Sequence, residues 1–209
     1  MSSLRTIYLV RHGESEANVD PLAYLRGDHA VGLTKNGLQQ AVSAAERLDA
    51  ELSRSASPLE PIVWTSPYQR CRQTAAPIAE RLGCPLRESV LIREQEYGIF
   101  DALSDAECLA RYPEWIERQK RLTACLGKFY FRYPGGESRA DVALRVHQFF
   151  GTLHRDSFDP AIIVCHGVTV RAFVMMWCHF TVEWFEKEPN PSNATIRVIH
   201  CGSDKGYLG

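Results

Sequence analysis

Two histidines in this chain, His12 and His166, each follow a short apolar run and precede a glycine. The runs are rich in β-branched residues, which is typical of buried strands. Arg11 adjoins the first histidine, and Arg70 lies on the first turn of a helix predicted to follow a third apolar run. Because the carboxyl ends of parallel strands meet at one edge of a sheet, we expect these four side chains to converge in one cleft.

A cleft with two histidines and two arginines is suited to a phosphoryl group. A guanidinium presents a planar set of donors that matches phosphoryl oxygens, and a neutral imidazole is a nucleophile near neutral pH without prior deprotonation. Each residue also has a plainer interpretation. The Arg11-His12 pair could be a surface turn, His166 a core histidine and Arg70 half of a helix-surface ion pair.

Strand and helix patterns alternate along the chain, which predicts an α/β protein: three layers, α/β/α, with a mostly parallel central sheet. Strands are predicted over residues 6–10, 62–65, 86–92, 161–165 and 194–201, the last at the sheet edge. A first helix is predicted from Thr34 to about Leu52, and a second follows Ser66-Pro67 with a kink or break at Pro77. A third helix ends at about Arg155, and two more are predicted over 168–179 and 182–187. The intervening residues 14–33 form a predicted long loop.

We expect a single domain, 1–209, because no stretch has the composition of a linker. Residues 96–136 are the least regular part, and we interpret them as an insertion over the sheet end that acts as a lid or specificity wall. Within this insertion, Ser104 and Glu107 form a predicted capping box, and Pro113 is suited to begin a second helix.

Composition restricts the partners and the compartment. The 209 residues are 45% apolar and carry a formal charge of −1, so we expect no nucleic acid and no membrane as partner. The seven cysteines are odd in number and lack a CxxC spacing, which favours free thiols. With no apolar leader segment, these features predict a cytoplasmic protein. The sequence does not determine the oligomeric state.

Six short segments, spread in order from about residue 5 to residue 200, resemble one known family. They are Arg11-His12-Gly13-Glu14-Ser15 with Asn18, Leu33-Thr34 with Gly37 and Gln40-Ala41, Ser66 with Arg70 and Thr74, Glu94 with Gly98, Gly136-Glu137-Ser138, and Val164-Cys165-His166-Gly167. Together they resemble the histidine phosphatase superfamily, which has the phosphoglycerate mutase-like fold. Among its branches the chain is most similar to the broad-range acid phosphatases.

The resemblance implies a role for each matching position. His12 would be the nucleophile that becomes phosphohistidine, and Glu94 the general acid and base, with Glu96 as a rival. Arg11, Arg70 and His166 would hold the phosphoryl oxygens. Further substrate contacts are expected from Asn18, Arg26, Gly27, Tyr97 and Gly167. The family scheme requires no metal and no other cofactor.

The implied activity is hydrolysis of a phosphomonoester, with a small phosphorylated metabolite as substrate. One alternative is a cofactor-dependent phosphoglycerate mutase. Mutases usually carry a tryptophan just before the motif asparagine and an arginine pair in the insertion. Here Ala17 precedes Asn18, and residues 99–136 contain no adjacent arginines. The other alternative is a non-catalytic module that binds a phosphorylated ligand, which the intact set of site residues disfavours.

Overall fold

A mostly parallel sheet forms the middle layer of the molecule. The computed structural model describes residues 6–54, 59–155 and 157–209, except for the side chain of Arg26. Within them the sheet has the order β3-β2-β4-β1-β5-β6. The strands are β1 (Thr6–Arg11), β2 (Ile62–Thr65), β3 (Leu86–Glu88), β4 (Ala161–Cys165), β5 (Ile196–His200) and β6 (Ser203–Tyr207). The first four are parallel to one another, and β5 and β6 run antiparallel.

Helices cover both faces of the sheet. They are α1 (Glu16–Val19), α2 (Lys35–Leu52), α3 (Gln69–Leu82), α4 (Asp105–Arg111), α5 (Pro113–Leu126), α6 (Arg139–Arg155), α7 (Gly167–Trp177) and α8 (Val182–Lys187). Side chains alternate across β1: Tyr8 and Val10 pack with α2 and α3, whereas Ile7 and Leu9 pack with α6 and α7. This arrangement confirms the predicted three-layer α/β/α class.

Helix α2 begins as predicted, and small residues form most of the face that it buries. The Thr34 side chain caps the helix by accepting a bond from the Gly37 N–H. Ala44 is buried against the sheet, whereas Leu38 and Val42 are 45% and 50% exposed. Small alanines let the helix approach the sheet closely, so two larger apolar residues remain outside.

Two boundaries on the β2–β3 side differ from the prediction. The strand predicted over 86–92 ends at Glu88, because the Ser89 side chain caps a 3₁₀ turn, Val90–Ile92. Helix α3 continues through Pro77 to Leu82. Ile78 and Ala79 are buried beyond the proline, and their packing offsets the missing backbone hydrogen bond.

The strand predicted at the sheet edge, β5, is an inner strand. It pairs with β1 on one side and with β6 on the other. Strand β6 was not predicted, since it carries few apolar residues. Cys201 and Gly202, both with positive φ, form the turn between the two strands, and Arg197 holds β6 through both carboxylate oxygens of Asp204.

Residues 14–33 are more ordered than a loop. They contain α1 and two 3₁₀ turns, Pro21–Arg26 and Asp28–Ala30. Short turns of this kind lack the apolar periodicity by which longer helices are recognised, so the sequence pattern did not show them.

The insertion (residues 96–136) contains α4 and α5, which begin at the predicted capping box and at Pro113. Two backbone hydrogen bonds hold its two ends together. The Glu137 N–H donates to the Glu96 carbonyl oxygen, and the Ile99 N–H donates to the Pro134 carbonyl oxygen. A Cβ at Gly98, where φ is 60°, would lie 2.1 Å from the Pro134 carbonyl oxygen. The insertion therefore enters and leaves the body of the protein at nearly the same point. In the part of the chain that the structure describes, no helix is both long and apolar enough to span a bilayer.

Candidate active site

His12 and His166 lie side by side at the carboxyl edge of the sheet. Strands β1 and β4 are parallel neighbours, with Arg11 level with Cys165, so the residues that follow them emerge together. The centroids of the two imidazole rings are 5.3 Å apart. Both side chains are buried, which is unusual for polar groups outside a functional site.

The environment of His12 fixes its tautomer. Its Nδ1 lies 2.7 Å from the Gly13 carbonyl oxygen, and a carbonyl can only accept, so Nδ1 carries the proton. Burial first, and then the charges of Arg70 and Arg11, lower the pKa of His12 to about 3. His12 is therefore neutral at physiological pH, and its Nε2 has a free lone pair.

The turn after His12 leaves no room for a side chain. A Cβ at Gly13 would lie 2.5 Å from the Gly37 carbonyl oxygen in the first turn of α2. The Gly13 N–H donates to Thr74 Oγ1 at 3.0 Å, which ties the turn to α3. The Gly37 and Thr74 positions of the family motifs thus support the His12 loop.

The two arginines approach the histidines from different elements. Arg70, on the first turn of α3, is 2% exposed, and its Nη1 donates to Asp28 Oδ1 and to the Asp28 carbonyl oxygen, both at 2.7 Å. Arg11, the last residue of β1, donates from Nη1 to the Pro191 carbonyl oxygen at 2.5 Å. The buried Nε of Arg11 has no hydrogen-bond partner among the described residues, so this donor is available to a ligand.

His166 is held by a serine that sequence reasoning treated only as a motif position. Its Nε2 lies 2.8 Å from Ser66 Oγ, at the end of β2, and its Nδ1 lies 4.0 Å from Glu94 Oε2. Burial and the positive charge of Arg70 lower the pKa of His166 well below 6.5, so this ring is also neutral. The Tyr68 ring packs edge-on against it, with centroids 5.2 Å apart.

The two rival carboxylates have different surroundings. Glu94 points toward His166, and its Oε1 accepts a bond from the Gln95 N–H at 2.9 Å. Burial raises the pKa of Glu94, although the Gln95 N–H and the Arg70 charge oppose the rise. Glu96 instead forms an ion pair with Arg93 Nε at 2.9 Å, with 46% of its side chain exposed. The geometry therefore favours Glu94 as the acid.

A buried arginine from α6, which the sequence analysis missed, holds the backbone around Glu94. Arg145 donates to the carbonyl oxygens of Leu91, Arg93 and Glu94 at 2.9, 2.8 and 3.0 Å. Its guanidinium also bonds both carboxylate oxygens of Glu137. Thr169 Oγ1, from α7, adds a bond to the Arg93 carbonyl oxygen at 2.8 Å. Helical spacing places Arg145 on the apolar inner face of α6. A charged residue at such a position was the signal in the sequence from which a buried role of Arg145 could have been predicted.

Asn18 and Gly167 lie close to the histidines. Asn18 Oδ1 accepts from the Ser15 N–H and from Asn193 Nδ2. Because Asn193 Nδ2 also lies 3.2 Å from the His12 carbonyl oxygen, it joins Asn18 to the His12 loop. Gly167 begins α7, where a Cβ would lie 3.1 Å from Asn190 Oδ1.

Gly27 and Tyr97 line a large cavity beside the histidine cluster. Its volume is about 1100 Å³, and it extends from Asp28 and Glu94 along the inner side of α4 and α5. The lining residues do not include either histidine, so the cavity adjoins the cluster through Asp28 and Glu94. The expected contact from Arg26 lies outside the side chains that the structure describes.

Among the described residues, no three His, Cys, Asp or Glu side chains are grouped so that they could hold a metal ion. All seven cysteines are free. Cys71 is buried with its Sγ 3.5 Å from His166 Nε2, and burial raises its thiol pKa to about 12, which disfavours the reactive thiolate.

The chain is similar in sequence and in fold to several known proteins. The chain is 38% identical to the phosphoglycerate mutase-like protein AT74 of Arabidopsis thaliana, over 97% of this chain and 67% of that protein. It is 26% identical to the broad-range acid phosphatase DET1 of Saccharomyces cerevisiae, over 93% of this chain and 85% of that protein. Among solved structures, a mycobacterial glucosyl-3-phosphoglycerate phosphatase superposes with a TM-score of 0.71 at 25% identity, covering 93% of this chain and 89% of that one.

The family model "Histidine phosphatase superfamily (branch 1)" matches residues 7–208. Nearly the whole chain is included in this match, and the resemblance drawn from the six motifs is confirmed. Membership supports an activity of the phosphatase or mutase type, because proteins named for both occur among the relatives. The chain belongs to the histidine phosphatase superfamily.

Proposed function

We propose that this protein is a phosphomonoesterase that acts through a phosphohistidine on His12. The observation that carries the proposal is the state of His12, which is buried, neutral and protonated on Nδ1. Its unprotonated Nε2 lies in a cluster with two arginines and a second histidine. A nucleophile among fixed cationic and neutral donors is suited to a phosphoryl group that must be attacked in line.

In the first half-reaction, His12 Nε2 attacks phosphorus, and the bond from phosphorus to the leaving oxygen breaks. The Arg11 Nε–H, the Arg70 guanidinium and the His166 Nδ1–H stabilise the charge on the phosphoryl oxygens. Glu94 donates its proton to the leaving alkoxide. Its raised pKa keeps that proton available at a higher pH than an exposed glutamate would allow.

In the second half-reaction, the Glu94 carboxylate accepts a proton from a water molecule as the water oxygen attacks phosphorus. The bond between phosphorus and His12 Nε2 breaks, inorganic phosphate leaves, and Glu94 is protonated again for the next cycle. Glu94 thus carries the proton in both half-reactions, and the attacking water restores it.

Ser66 is a positioning residue in this scheme. If its hydroxyl donates to His166 Nε2, the proton of that imidazole is on Nδ1, the nitrogen that lies nearer to Glu94. His166 then directs an N–H donor toward the phosphoryl group without carrying a charge.

A phosphoglycerate mutase is the second candidate, and the relative named as phosphoglycerate mutase-like supports it. Two departures favour hydrolysis. Ala17 stands where mutases usually carry a tryptophan, and the insertion lacks an adjacent arginine pair. The acid phosphatase subtype rests on the motif resemblance and on the yeast relative. A cytoplasmic location is part of the proposal, because free thiols fit a reducing compartment.

A time course with 3-phosphoglycerate, with and without 2,3-bisphosphoglycerate, separates the candidates. The assay resolves inorganic phosphate from 2-phosphoglycerate, and p-nitrophenyl phosphate is run beside it. We expect inorganic phosphate from p-nitrophenyl phosphate, no primed isomer, and loss of activity by at least about 10⁴-fold in His12→Ala. Primed isomer formation would establish the mutase. Binding of phosphorylated ligands without turnover of a broad phosphomonoester panel would instead establish a binding module.

A further inference from the structure

The large cavity beside the histidine cluster is aromatic and apolar over most of its wall. Its rings are Tyr24, Tyr97, Phe100 and Tyr133. The Tyr133 ring packs edge-on against both Tyr97 and Phe100, with centroids 5.0 and 5.9 Å apart, which fixes the orientation of this part of the wall. Edge-on rings of this kind present preformed faces to a bound organic group.

The charged groups on the same wall are predominantly acidic. Among the described side chains that line the cavity, five bear a carboxyl group and one, Lys120, is a cation; the five are Asp28, Glu94, Asp101, Asp105 and Glu107. Asp28 is neutralised by Arg70, and Glu107 caps Ser104 and pairs with Arg111. Glu94 carries its proton when substrate binds in the proposed mechanism. Neither Asp101 nor Asp105 forms an ion pair within the described ranges. Burial raises the pKa of Asp101, and the nearby Asp28 and Glu96 carboxylates add to the rise although the Tyr97 N–H opposes it.

The one cation among the described lining residues is paired with a glutamate on its own helix. Lys120 Nζ lies 2.7 Å from Glu117 Oε1, and 65% of the lysine side chain is exposed. Other cations, Lys128 and Arg139, line a separate, smaller cavity of about 190 Å³ that shares Gln119, Lys120 and Tyr133 with the large one. An organic group bound in the large cavity therefore contacts ring faces and carboxylates, whereas its phosphate is held by the histidine cluster.

We infer that the physiological substrate is a phosphomonoester whose organic part bears a ring or other apolar face and is neutral or cationic, without a second phosphate or carboxylate. The inference rests on the proposed phosphatase function and adds the charge of the leaving group to it. An anionic group beside Asp101 and Asp105 would lose its hydration and gain repulsion. A hydroxyl would meet no such penalty, and an ammonium group would be attracted by the carboxylates and by the ring faces.

The test uses three aryl phosphates of similar size, the phosphate esters of tyrosol, tyramine and 4-hydroxyphenylacetic acid. They place a hydroxyl, an ammonium or a carboxylate at the same distance from the phosphate, and a saturated carbon separates each group from the ring. We expect kcat/KM for the tyrosol and tyramine esters to exceed that for the 4-hydroxyphenylacetate ester by at least about tenfold. The preference should shrink at high ionic strength, because salt screens the carboxylates.

Two matched variants assign the preference to the cavity. Asp101→Asn keeps the size of the side chain and removes its charge. We expect it to reduce severalfold the difference in kcat/KM between the 4-hydroxyphenylacetate ester and the other two esters. Asp49→Asn is the control, because Asp49 pairs with Arg81 on the other face of the sheet. In this variant the difference in kcat/KM among the esters should remain unchanged. An equal or higher kcat/KM for the carboxylate ester would overturn the inference. If the kcat/KM of the carboxylate ester then fell in Lys128→Ala, the smaller cavity would be the site of a second anion.

p-Nitrophenyl phosphate, assayed in the same experiment, keeps the two proposals separate. Its turnover without any preference among the three esters overturns the charge inference and leaves the phosphatase proposal in place. Failure to hydrolyse it and all three esters would refute the phosphatase proposal, and with it the inference that rests on it.

Discussion

The histidine cluster and the insertion that faces it are built in opposite ways. His12, His166 and Ser66 lie just beyond strand ends, Arg70 lies on the first turn of α3, and each of the four is at most 3% exposed. Helix α5 of the insertion has no buried residue, and of the four rings in the cavity wall only Phe100 is buried. We propose that the reactive geometry depends on the sheet and its two cores, whereas the choice of substrate depends on the more exposed insertion. Four measurements would break or sharpen this comparison.

Glu94→Gln carries the largest expected effect. We expect kcat for an alkyl phosphate such as glycerol phosphate to fall by about 10²–10⁴-fold, because the amide cannot protonate the leaving alkoxide. With p-nitrophenyl phosphate the loss in kcat/KM, which reports the first half-reaction, should be smaller, since nitrophenolate leaves without a proton. Glu96→Gln is the matched control and should remain within about threefold of wild type. A larger loss in Glu96→Gln would show that the acid had been assigned to the wrong carboxylate.

Ser66→Ala tests the buried support of the cluster. We expect kcat to fall by about tenfold with little change in KM, as the loss of one buried hydrogen bond predicts. Nitrogen NMR of labelled protein should find the proton of His166 on Nδ1 in wild type and a mixture of tautomers in the variant. An unchanged tautomer together with an unchanged kcat would reduce Ser66 to a packing residue.

Tyr97→Leu tests the insertion side of the comparison. This substitution removes an aromatic face from the cavity wall and leaves the histidine cluster intact. We expect KM for an aryl phosphate to rise by about 3- to 10-fold, with kcat within about twofold of wild type. A kcat loss as large as that of Ser66→Ala would contradict a division between chemistry and specificity.

The smallest effect concerns the acid limb of the pH profile. Because burial and two arginines lower the pKa of His12 to about 3, its Nε2 stays unprotonated from pH 8 down to pH 5. We therefore expect the enzyme to cause less than about a twofold loss of kcat/KM as the pH is lowered from 8 to 5, whereas protonation of Glu94 can only increase kcat/KM in this direction. The substrate's own phosphate also titrates in this range. Profiles are therefore compared for two substrates whose second phosphate pKa values differ, because a limb of the profile that shifts from one substrate to the other belongs to the substrate. A common limb near pH 6.5 would contradict the assigned state of His12.

The same shift has a consequence for folding. In the unfolded chain His12 binds a proton near pH 6.5, whereas in the folded protein it does not until about pH 3. The unfolded state therefore binds more protons between these values, and the free energy of unfolding should decrease as pH falls below 6.5. Urea titrations at pH 7 and pH 5 would measure this loss.

The sequence predicted the parts of the site that depend on strand ends. Apolar runs ending in His-Gly located both histidines, and the Thr34 cap and the Ser104 capping box placed two helix starts. Contacts between residues distant in the chain were not predictable in the same way. Arg145 is 51 residues from Glu94, and nothing local to either residue indicates that the guanidinium supports the acid loop.

Elements stabilised by tertiary contacts were also missed. Strand β6 has almost no apolar pattern and is held by pairing with β5 and by the Arg197–Asp204 bonds. Helix α3 passes through Pro77 because residues on both sides of the proline are buried. Propensity and periodicity describe a segment by itself, so they fail where a neighbour supplies the stabilisation.

The pair of backbone hydrogen bonds that closes the insertion has an evolutionary consequence. Because its two ends are bonded to each other, the loop between them can lengthen, shorten or be exchanged without stretching the chain on either side. The backbone of Glu94 is anchored from α6 and α7, outside the loop, so such exchanges would leave the acid in place. A graft of residues 99–133 from a relative with another substrate would therefore be a rational way to redirect this scaffold. The same independence would let descendants of one ancestral catalyst diversify by recombination at a single junction.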